Sequence, residues 1–250
     1  MLERAYTRPI VSTEAQIEVP YEPHVGETRQ YWRDIVLGIN DGLVSVFLLV
    51  AGVVGGSLSV SQVLLTAVAG AVAGAVSMGA GEYLATKSQD EVLDSELNLE
   101  RKHIKYHRDK EVGQLRDMLT NMGMPADDVD KVTAAFGRTD ATLLEAMKAF
   151  EFGVVESERR SPMKAMAVSA LTFLVGSATS VVPFLLVEST HAGLFWASAF
   201  TAVGLFVMGV IKTMVTSTSP IRAGLENLAI AGLGGVLAYF IGVGISGSLV

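Results

Sequence analysis

Asn40-Asp41-Gly42-Leu43-Val44-Ser45 places a carboxylate inside a run that otherwise has the composition of a membrane-spanning helix. From Ile35 to Gly56 the other residues are apolar or small, and at about 1.5 Å per residue this run can cross a hydrocarbon core of roughly 30 Å. A charge near the bilayer centre costs about 2.5–3.5 kcal/mol on insertion scales, so this acid indicates a functional site. The alternative is that Asp41 lies near the membrane surface and bonds only to nearby backbone.

The composition of the whole chain favours a polytopic membrane protein. Half of its 250 residues are hydrophobic, 7% are aromatic and 25 are glycine. The net charge of -7 is no guide to partners, but the lack of a dense basic block speaks against a nucleic-acid partner. The chain has no cysteine, which excludes disulfides and thiol chemistry. The polar N-terminus lacks the apolar core of a signal peptide, so we expect it not to be cleaved.

Five apolar stretches predict an all-α integral membrane protein with five transmembrane helices and a soluble three-helix insertion between spans 2 and 3. The predicted spans are 34–56, 61–85, 165–187, 193–211 and 228–250. The predicted division is an N-terminal tail at 1–33, spans 1 and 2 at 34–87, the insertion at 88–160, and spans 3 to 5 at 161–250.

Breaker and capping residues divide the insertion into helices. Residues 88–122 have helical periodicity and predict one long helix or two collinear ones. Gly123-Met124-Pro125 ends that segment, and 126–136 predicts the next helix. Thr139-Asp140 is typical of a helix N-terminus and predicts a last helix over 141–152.

The distribution of positive charge predicts the orientation. If the N-terminus is cytoplasmic, the tail, the 87–164 region and the 212–222 connection together hold all 19 lysines and arginines on that side. The positive-inside rule therefore predicts a multi-pass protein with its N-terminus and insertion in the cytoplasm and its C-terminus on the other side. The sequence does not distinguish the cell (inner) membrane from a vacuolar one.

Polar residues recur at helical spacing on the first two spans and indicate a path for a cation. On span 1 they put two carboxylates on one face, and on span 2 they put a thioether beside a carboxylate. A thioether among carboxylates suits Fe(II) better than Mg²⁺ or Ca²⁺. The alternatives are that the methionine is apolar packing and that the glutamate lies near the headgroups. The candidate translocation residues are Asp34, Asp41, Met78 and Glu82.

A second set of donors predicts a metal site in the insertion. If the 88–122 helix is unbroken, six donors fall within an arc of about 80°, and no lysine or arginine interrupts them. Carboxylate with imidazole is a normal ligand set for Fe(II), Mn(II) or Zn(II), although a stripe of charge is often only a solvated face. The candidate ligands are Glu96, Glu100, His103, His107, Glu111 and Gln114, joined by Met147 and Glu151 from the last helix.

The motifs VLGINDGLVS at 36–45 and SMGAGEY at 77–83, with the insertion after span 2, resemble the vacuolar iron transporter family. The resemblance covers nearly everything after about Arg33. It implies a homodimeric five-span carrier that moves Fe²⁺, and often Mn²⁺, out of the cytosol in exchange for protons. Asp41 and Met78 would line the path at the dimer interface, with Asp34 at its entrance. The insertion would be a cytoplasmic domain that collects metal ions.

The chain departs from the family's ligand pattern in that domain. By the resemblance the ligands fall on Glu100, His103, Glu111, Gln114 and Glu151, with a methionine pair at Met147 and Lys148. Gln114 is a neutral donor, and Lys148 brings a positive charge where a soft ligand is expected. Both changes predict weaker or fewer metal sites, and His107 is a candidate to compensate.

Other functions remain open at this point. Glu100-x-x-His103 has the ligand spacing of di-iron bundles and would suit a membrane-anchored oxidase, but the other such pair, Glu188-x-x-His191, is predicted across the membrane. A metal sensor or a plain channel is a further alternative. The favoured interpretation is a carrier and not an enzyme, with no prosthetic group, whose partners are the lipid bilayer, Fe²⁺, Mn²⁺ or Zn²⁺, and protons. Asp41 and Glu82 would be ionised to bind metal and protonated to reset.

Overall fold

The computed structural model describes residues 29–153, 159–216 and 219–248, and every regular element in these ranges is a helix. The predicted tail lies outside the described residues as far as residue 28. In chain order the helices are α1 (Arg29–Gly55), α2 (Val60–Tyr106), α3 (Arg108–Asn121), α4 (Ala126–Phe136), α5 (Asp140–Phe150), α6 (Pro162–Val181), α7 (Pro183–Leu186), α8 (Thr190–Thr216) and α9 (Pro220–Ser248).

Five of these helices are long and apolar enough to cross a membrane, which confirms the predicted number of spans in the described part of the chain. They are α1, α2, α6, α8 and α9. The third span differs from its prediction, because α6 ends at Val181 and the chain turns into the four-residue helix α7. Pro183 begins α7, and a proline has no backbone N–H to continue the bonds of the preceding helix.

Helix α1 lies at the centre of the bundle and packs on α6, α9, α8 and α2. Its approach to α6 depends on two glycines. A Cβ atom on Gly42 would overlap the carbonyl oxygen of Phe173, and one on Gly176 would overlap that of Ile39. Close backbone contact of this kind is how helices associate in lipid, where burial of apolar surface gives little drive.

Helices α3, α4 and α5 surround an apolar core of their own. Leu115, Leu143 and Met147 are fully buried in it, together with Ile104 from the end of α2. Gly123 ends the first segment with a φ of 89°, and the Thr139 side chain accepts a hydrogen bond from Thr142 N at the start of α5. These ends agree with the predicted ones. That the segment lies in water stays a prediction.

The helix that enters this segment differs from its prediction. Helix α2 continues without a break through residues 87 and 88, and it ends at Tyr106. His107 has φ -136° and ψ 34°, and α3 then begins at Arg108 and folds back against α2. The prediction of one long helix or two collinear helices over 88–122 is therefore wrong. The donors of the predicted stripe lie on two helices that meet at His107 instead of on one face of a single helix.

Candidate metal centre

Two glutamates and a histidine meet where α3 folds back on α2. One ligand atom from each of Glu100, His103 and Glu111 lies within 4.8 Å of the other two. His103 Nδ1 is 3.8 Å from Glu100 Oε2 and 3.5 Å from Glu111 Oε1. On an unbroken helix, Glu100 and Glu111 would be separated by about 16 Å along the axis. The turn at His107 is thus what assembles this set, which we call the turn cluster.

The ends of the two helices favour this arrangement electrostatically. His103 lies in the last turn of α2, where the partial negative charge of the helix end attracts a cation. Glu111 lies in the first turn of α3, where the unbonded N–H groups favour an anion. The two helix ends therefore favour a cation beside His103 and a carboxylate at Glu111.

Burial leaves both carboxylates of the turn cluster short of partners. Glu100 is 4% exposed and Glu111 is 6% exposed. Within the described residues, Glu100 Oε1 and Glu111 Oε2 have no hydrogen-bond partner. An ionised carboxylate removed from water without partners is costly, and a bound cation offsets that cost. The turn cluster has the chemistry of a divalent metal site.

The raised pKa of Glu100 reflects the same burial of carboxylates. Glu100 lies well beyond the apolar part of α2, in its charged final turns. Burial raises the pKa of its carboxyl to about 7, with smaller contributions from the negative charges of Glu111 and Glu151. Near neutral pH this carboxyl therefore exchanges a proton readily, and metal would compete with that proton.

Glu151 and Gln114 stand beside the turn cluster as a hydrogen-bonded pair. Gln114 Nε2 donates to Glu151 Oε1 at 2.9 Å. The backbone N–H of Glu151 bonds to Met147 O at 2.9 Å, which fixes the residue at the end of α5. The ammonium group of Lys148 pairs with Glu145 at 2.8 Å. Lys148, whose positive charge was expected to weaken metal binding, thus has a carboxylate partner of its own.

The remaining predicted ligands are Glu96, His107 and Met147. Glu96 and His107 are exposed, and neither belongs to the group of donors whose ligand atoms meet. Met147 is fully buried in the apolar core of α3 to α5. The roles of all three as ligands stay predictions.

The membrane candidates meet in a groove between α1 and α2. A groove of about 440 Å³ is lined by Asp41 and Ser45 on α1 and by Ser77 and Met78 on α2. Ser45 Oγ donates a hydrogen bond of 2.6 Å to Asp41 Oδ1, and Asp41 is exposed in this single chain. The predicted pairing of the acid with the methionine is therefore present. An oxygen and a thioether face one open space.

Asp34 and Glu82 meet at one end of this α1–α2 pair, in an arrangement that we call the mouth cluster. Asp34 is fully buried, and its Oδ2 accepts a hydrogen bond from Arg160 Nη2. The same nitrogen donates to Glu82 Oε1 at 3.2 Å. Sequence reasoning missed Arg160, which is 126 residues from Asp34 in the chain. Its only sequence signal is a pair of arginines shortly before span 3.

The second Glu-x-x-His motif is distant from the turn cluster. His191 lines a cavity of about 480 Å³ together with Ser57 and Leu58 of the α1–α2 turn, and Glu188 is exposed nearby in sequence. That turn is the opposite end of α2 from Glu100, about 60 Å away along the helix axis. The two motifs therefore do not form one di-iron site.

Comparison with known proteins now identifies the chain. The family model described as the VIT family matches residues 32–243, which is most of the chain. The chain belongs to the VIT family. Vacuolar iron transporter 1 of Tulipa gesneriana is 29% identical over 231 residues, covering 92% of this chain and 93% of that protein. Vacuolar iron transporter 1 of Arabidopsis thaliana is 28% identical over 207 residues, covering 83% of each.

The VIT-family match extends across the groove, the mouth cluster and the turn cluster. It confirms the resemblance that was drawn from the segments at 36–45 and 77–83. A further relative, vacuolar iron transporter 2 of rice (Oryza sativa subsp. japonica), is 29% identical over 207 residues, covering 83% of this chain and 84% of that protein. This VIT-family chain is accordingly a multi-pass membrane protein.

Proposed function

We propose that this protein is a carrier, not an enzyme, that moves Fe²⁺ and Mn²⁺ out of the cytosol across a membrane in exchange for protons. The observation that carries the proposal is the groove where Asp41 and Met78 face one space between two spans. Its donors suit a borderline transition metal. Membership of the VIT family, whose relatives are named iron transporters, supports iron as one of the ions.

The turn cluster would collect metal before transport. Its three donors form a set that accepts Fe(II), Mn(II) or Zn(II), and two of them are buried carboxylates, each with one oxygen that has no hydrogen-bond partner among the described residues. Both metal sites lie on α2, with Met78 and Glu100 separated by about 33 Å of continuous helix. One rigid element would thus support collection and passage.

Proton exchange would use carboxylates that bind metal when ionised and release it when protonated. In the turn cluster, the pKa of Glu100 near 7 makes that exchange accessible at physiological pH. Asp41 would perform the same exchange in the groove, assisted by the Ser45 hydroxyl that already donates to it. Metal ions and protons would share these carboxylates as ligands. Transport of metal in one direction with protons in the other is the simplest consequence.

A homodimer would close the groove. Asp41 is exposed in a single chain, and the outer face of α2 carries the exposed apolar residues Leu65, Val72 and Val76. A second copy would bring a second Asp41 and Met78 to the same space.

Orientation in the membrane follows from charge. The positive-inside rule puts the N-terminus and the α3–α5 segment in the cytoplasm, since that side then holds all 19 lysines and arginines. Metal collected by the turn cluster would leave the cytosol, either across the cell (inner) membrane or into a vacuole.

Uptake into sealed proteoliposomes tests the proposal. We expect Fe²⁺ and Mn²⁺ uptake to depend on an inside-acid pH gradient and to fall at least about a hundredfold in Asp41→Ala, because the groove loses its one carboxylate. The exposed Glu188→Gln variant is the control. Uptake that ignores the gradient would indicate a channel. No uptake at all would refute the carrier and favour a sensor.

A further inference from the structure

Arg160 occupies the position between two carboxylates that a metal ion at the mouth would need. One nitrogen, Nη2, bonds to both Asp34 Oδ2 and Glu82 Oε1. These carboxylates come from different spans, α1 and α2, and no backbone feature forces them onto one donor. Asp34 is fully buried and the Glu82 side chain is 11% exposed. The mouth cluster therefore has the form of a cation site made of two carboxylates, and the guanidinium of Arg160 occupies it.

The guanidinium does not satisfy this site completely. Asp34 Oδ1 is buried and has no hydrogen-bond partner among the described residues, and Arg160 Nε is likewise unpaired there. A planar guanidinium normally engages a carboxylate through two parallel bonds. Here one nitrogen is divided between two acids, so an oxygen suited to a cation is left over.

Other groups hold Arg160 close to the mouth cluster. Its guanidinium carbon lies 5.7 Å from the ring centre of Tyr31, within the range of a cation–π contact. The preceding residue, Arg159, donates to Asp94 on the charged part of α2 at 2.7 Å. The contact with Tyr31 tethers Arg160 without enclosing it, and its side chain is 16% exposed, whereas Arg159 bonds to a different acid.

Charge balance makes a divalent ion the natural competitor. Arg33 also approaches Glu82, at 3.7 Å, so two guanidinium groups face two carboxylates. A monovalent ion that replaced Arg160 would exchange one positive charge for another and gain little attraction. A divalent ion brings twice the charge to the same oxygens and can use the free Asp34 oxygen as well.

We propose that Arg160 is a tethered counter-cation of the metal entrance, which a divalent ion must displace and a monovalent ion does not. The inference rests on the proposed function, because it takes the Asp34–Glu82 pair to lie where metal ions come in. Arg160 is then a residue that sets specificity and apparent affinity at the mouth, and it is not itself a metal ligand.

Mn²⁺ binding measured by electron paramagnetic resonance on the purified full-length protein tests this role. The background is Glu100→Gln with Glu111→Gln, so that the turn cluster contributes no ion. In that background, Arg160→Gln should tighten Mn²⁺ binding at least about tenfold, because a competing charge has been removed. Adding Asp34→Asn should abolish the gain. Arg159→Gln, the matched control next in sequence, should leave binding unchanged.

Unchanged Mn²⁺ affinity in Arg160→Gln, or the same gain in Arg159→Gln, would overturn the proposal. A second measurement needs no change at Arg160. In the Glu100→Gln, Glu111→Gln background, saturating Mn²⁺ should speed modification of Arg160 by phenylglyoxal, read by mass spectrometry, while leaving the rate at Arg159 unchanged. A rate at Arg160 that Mn²⁺ does not raise contradicts displacement even if Arg160→Gln fails to fold.

The two proposals fail separately. A parent protein that transports no metal would refute the carrier, whereas these experiments read binding and side-chain reactivity. Acceleration at Arg160 in a protein without transport would show a displaceable cation site whose purpose is not passage of metal.

Discussion

The turn cluster and the membrane groove offer similar donors, but they differ in enclosure. In the turn cluster one chain supplies all three donors, and its two carboxylates are 4% and 6% exposed. In the groove Asp41 is exposed, and it is already bonded to Ser45. A buried site whose carboxylates have unpaired oxygens favours retention of an ion. An exposed site whose carboxylate already accepts a hydrogen bond favours its release. Under the proposed function, this difference would separate collection of metal from its passage on a single helix.

The strongest test of this comparison removes a ligand from the enclosed site. We expect Glu100→Gln to weaken metal binding by the full-length protein about 10- to 100-fold, because the carboxylate is replaced by a neutral donor. Uptake should slow at low metal concentration and approach the parent rate at high concentration, since the groove is intact. Calorimetric titration and proteoliposome uptake measure the two effects.

Glu96→Gln is the matched control for that experiment. Glu96 lies one helical turn before Glu100 on α2, and it is exposed. It should bind and transport metal as the parent does. An equal loss in both variants would mean that the negative charge of the helix face, and not the turn cluster, holds the ion.

The second test uses pH to distinguish the enclosed site from the open one. Because the pKa of Glu100 is about 7, a proton competes with metal below that pH. Metal affinity of the turn cluster should fall about tenfold for each pH unit below 7 and level off above it. In Glu100→Gln this step near neutral pH should disappear. A step retained in that variant would assign the proton to another group.

The same pKa fixes the sign of a stability effect. The carboxyl of Glu100 ionises at about 7 in the folded protein and at 4.5 as a model group, so the folded state binds the proton more tightly. Stability of the metal-free protein should therefore fall as pH rises from 4.5 to about 7 and stay low above that range. Added Mn²⁺ should restore it. Thermal unfolding in detergent, followed with and without Mn²⁺, measures both effects.

The smallest expected effect comes from placing an acid at position 114, beside the turn cluster. Gln114→Glu replaces the amide that donates to Glu151 with a second acceptor. Repulsion between the two carboxylates should lower the unfolding temperature of the metal-free protein, and metal affinity should rise severalfold because the site gains an anionic donor. Gln114→Ala also removes the donor but adds no charge. It should destabilise without tightening binding.

The sequence could predict much of the membrane part because its signals are local. Five apolar runs gave five spans, and Asp41 and Met78 face each other because each lies a similar number of residues from the short turn between α1 and α2. In the α3–α5 segment, Gly123 and Thr139 marked helix ends by their own conformational and capping preferences. The predicted ends therefore lie close to those observed.

Two features could not be read from the sequence because they depend on tertiary contacts. The turn at His107 has no glycine or proline to mark it, and it is this turn that brings Glu111 back to Glu100. Spacing on an ideal helix included His107 in the donor set and placed Glu111 far from Glu100. The bond between Arg160 and Asp34 joins distant segments, and no periodicity links them.

The unbroken course of α2 has a mechanical consequence. This helix has 47 residues, so it forms a rod of about 70 Å that begins at the α1–α2 turn and ends at Tyr106, beyond Glu100. If this helix tilts about its membrane end, its far end moves the most. A tilt of about 5° would swing the far end by about 6 Å, which exceeds the spread of ligand atoms in the turn cluster, 4.8 Å. Small rearrangements around the groove would thus be magnified into displacements that a spin label on exposed Lys102 could record.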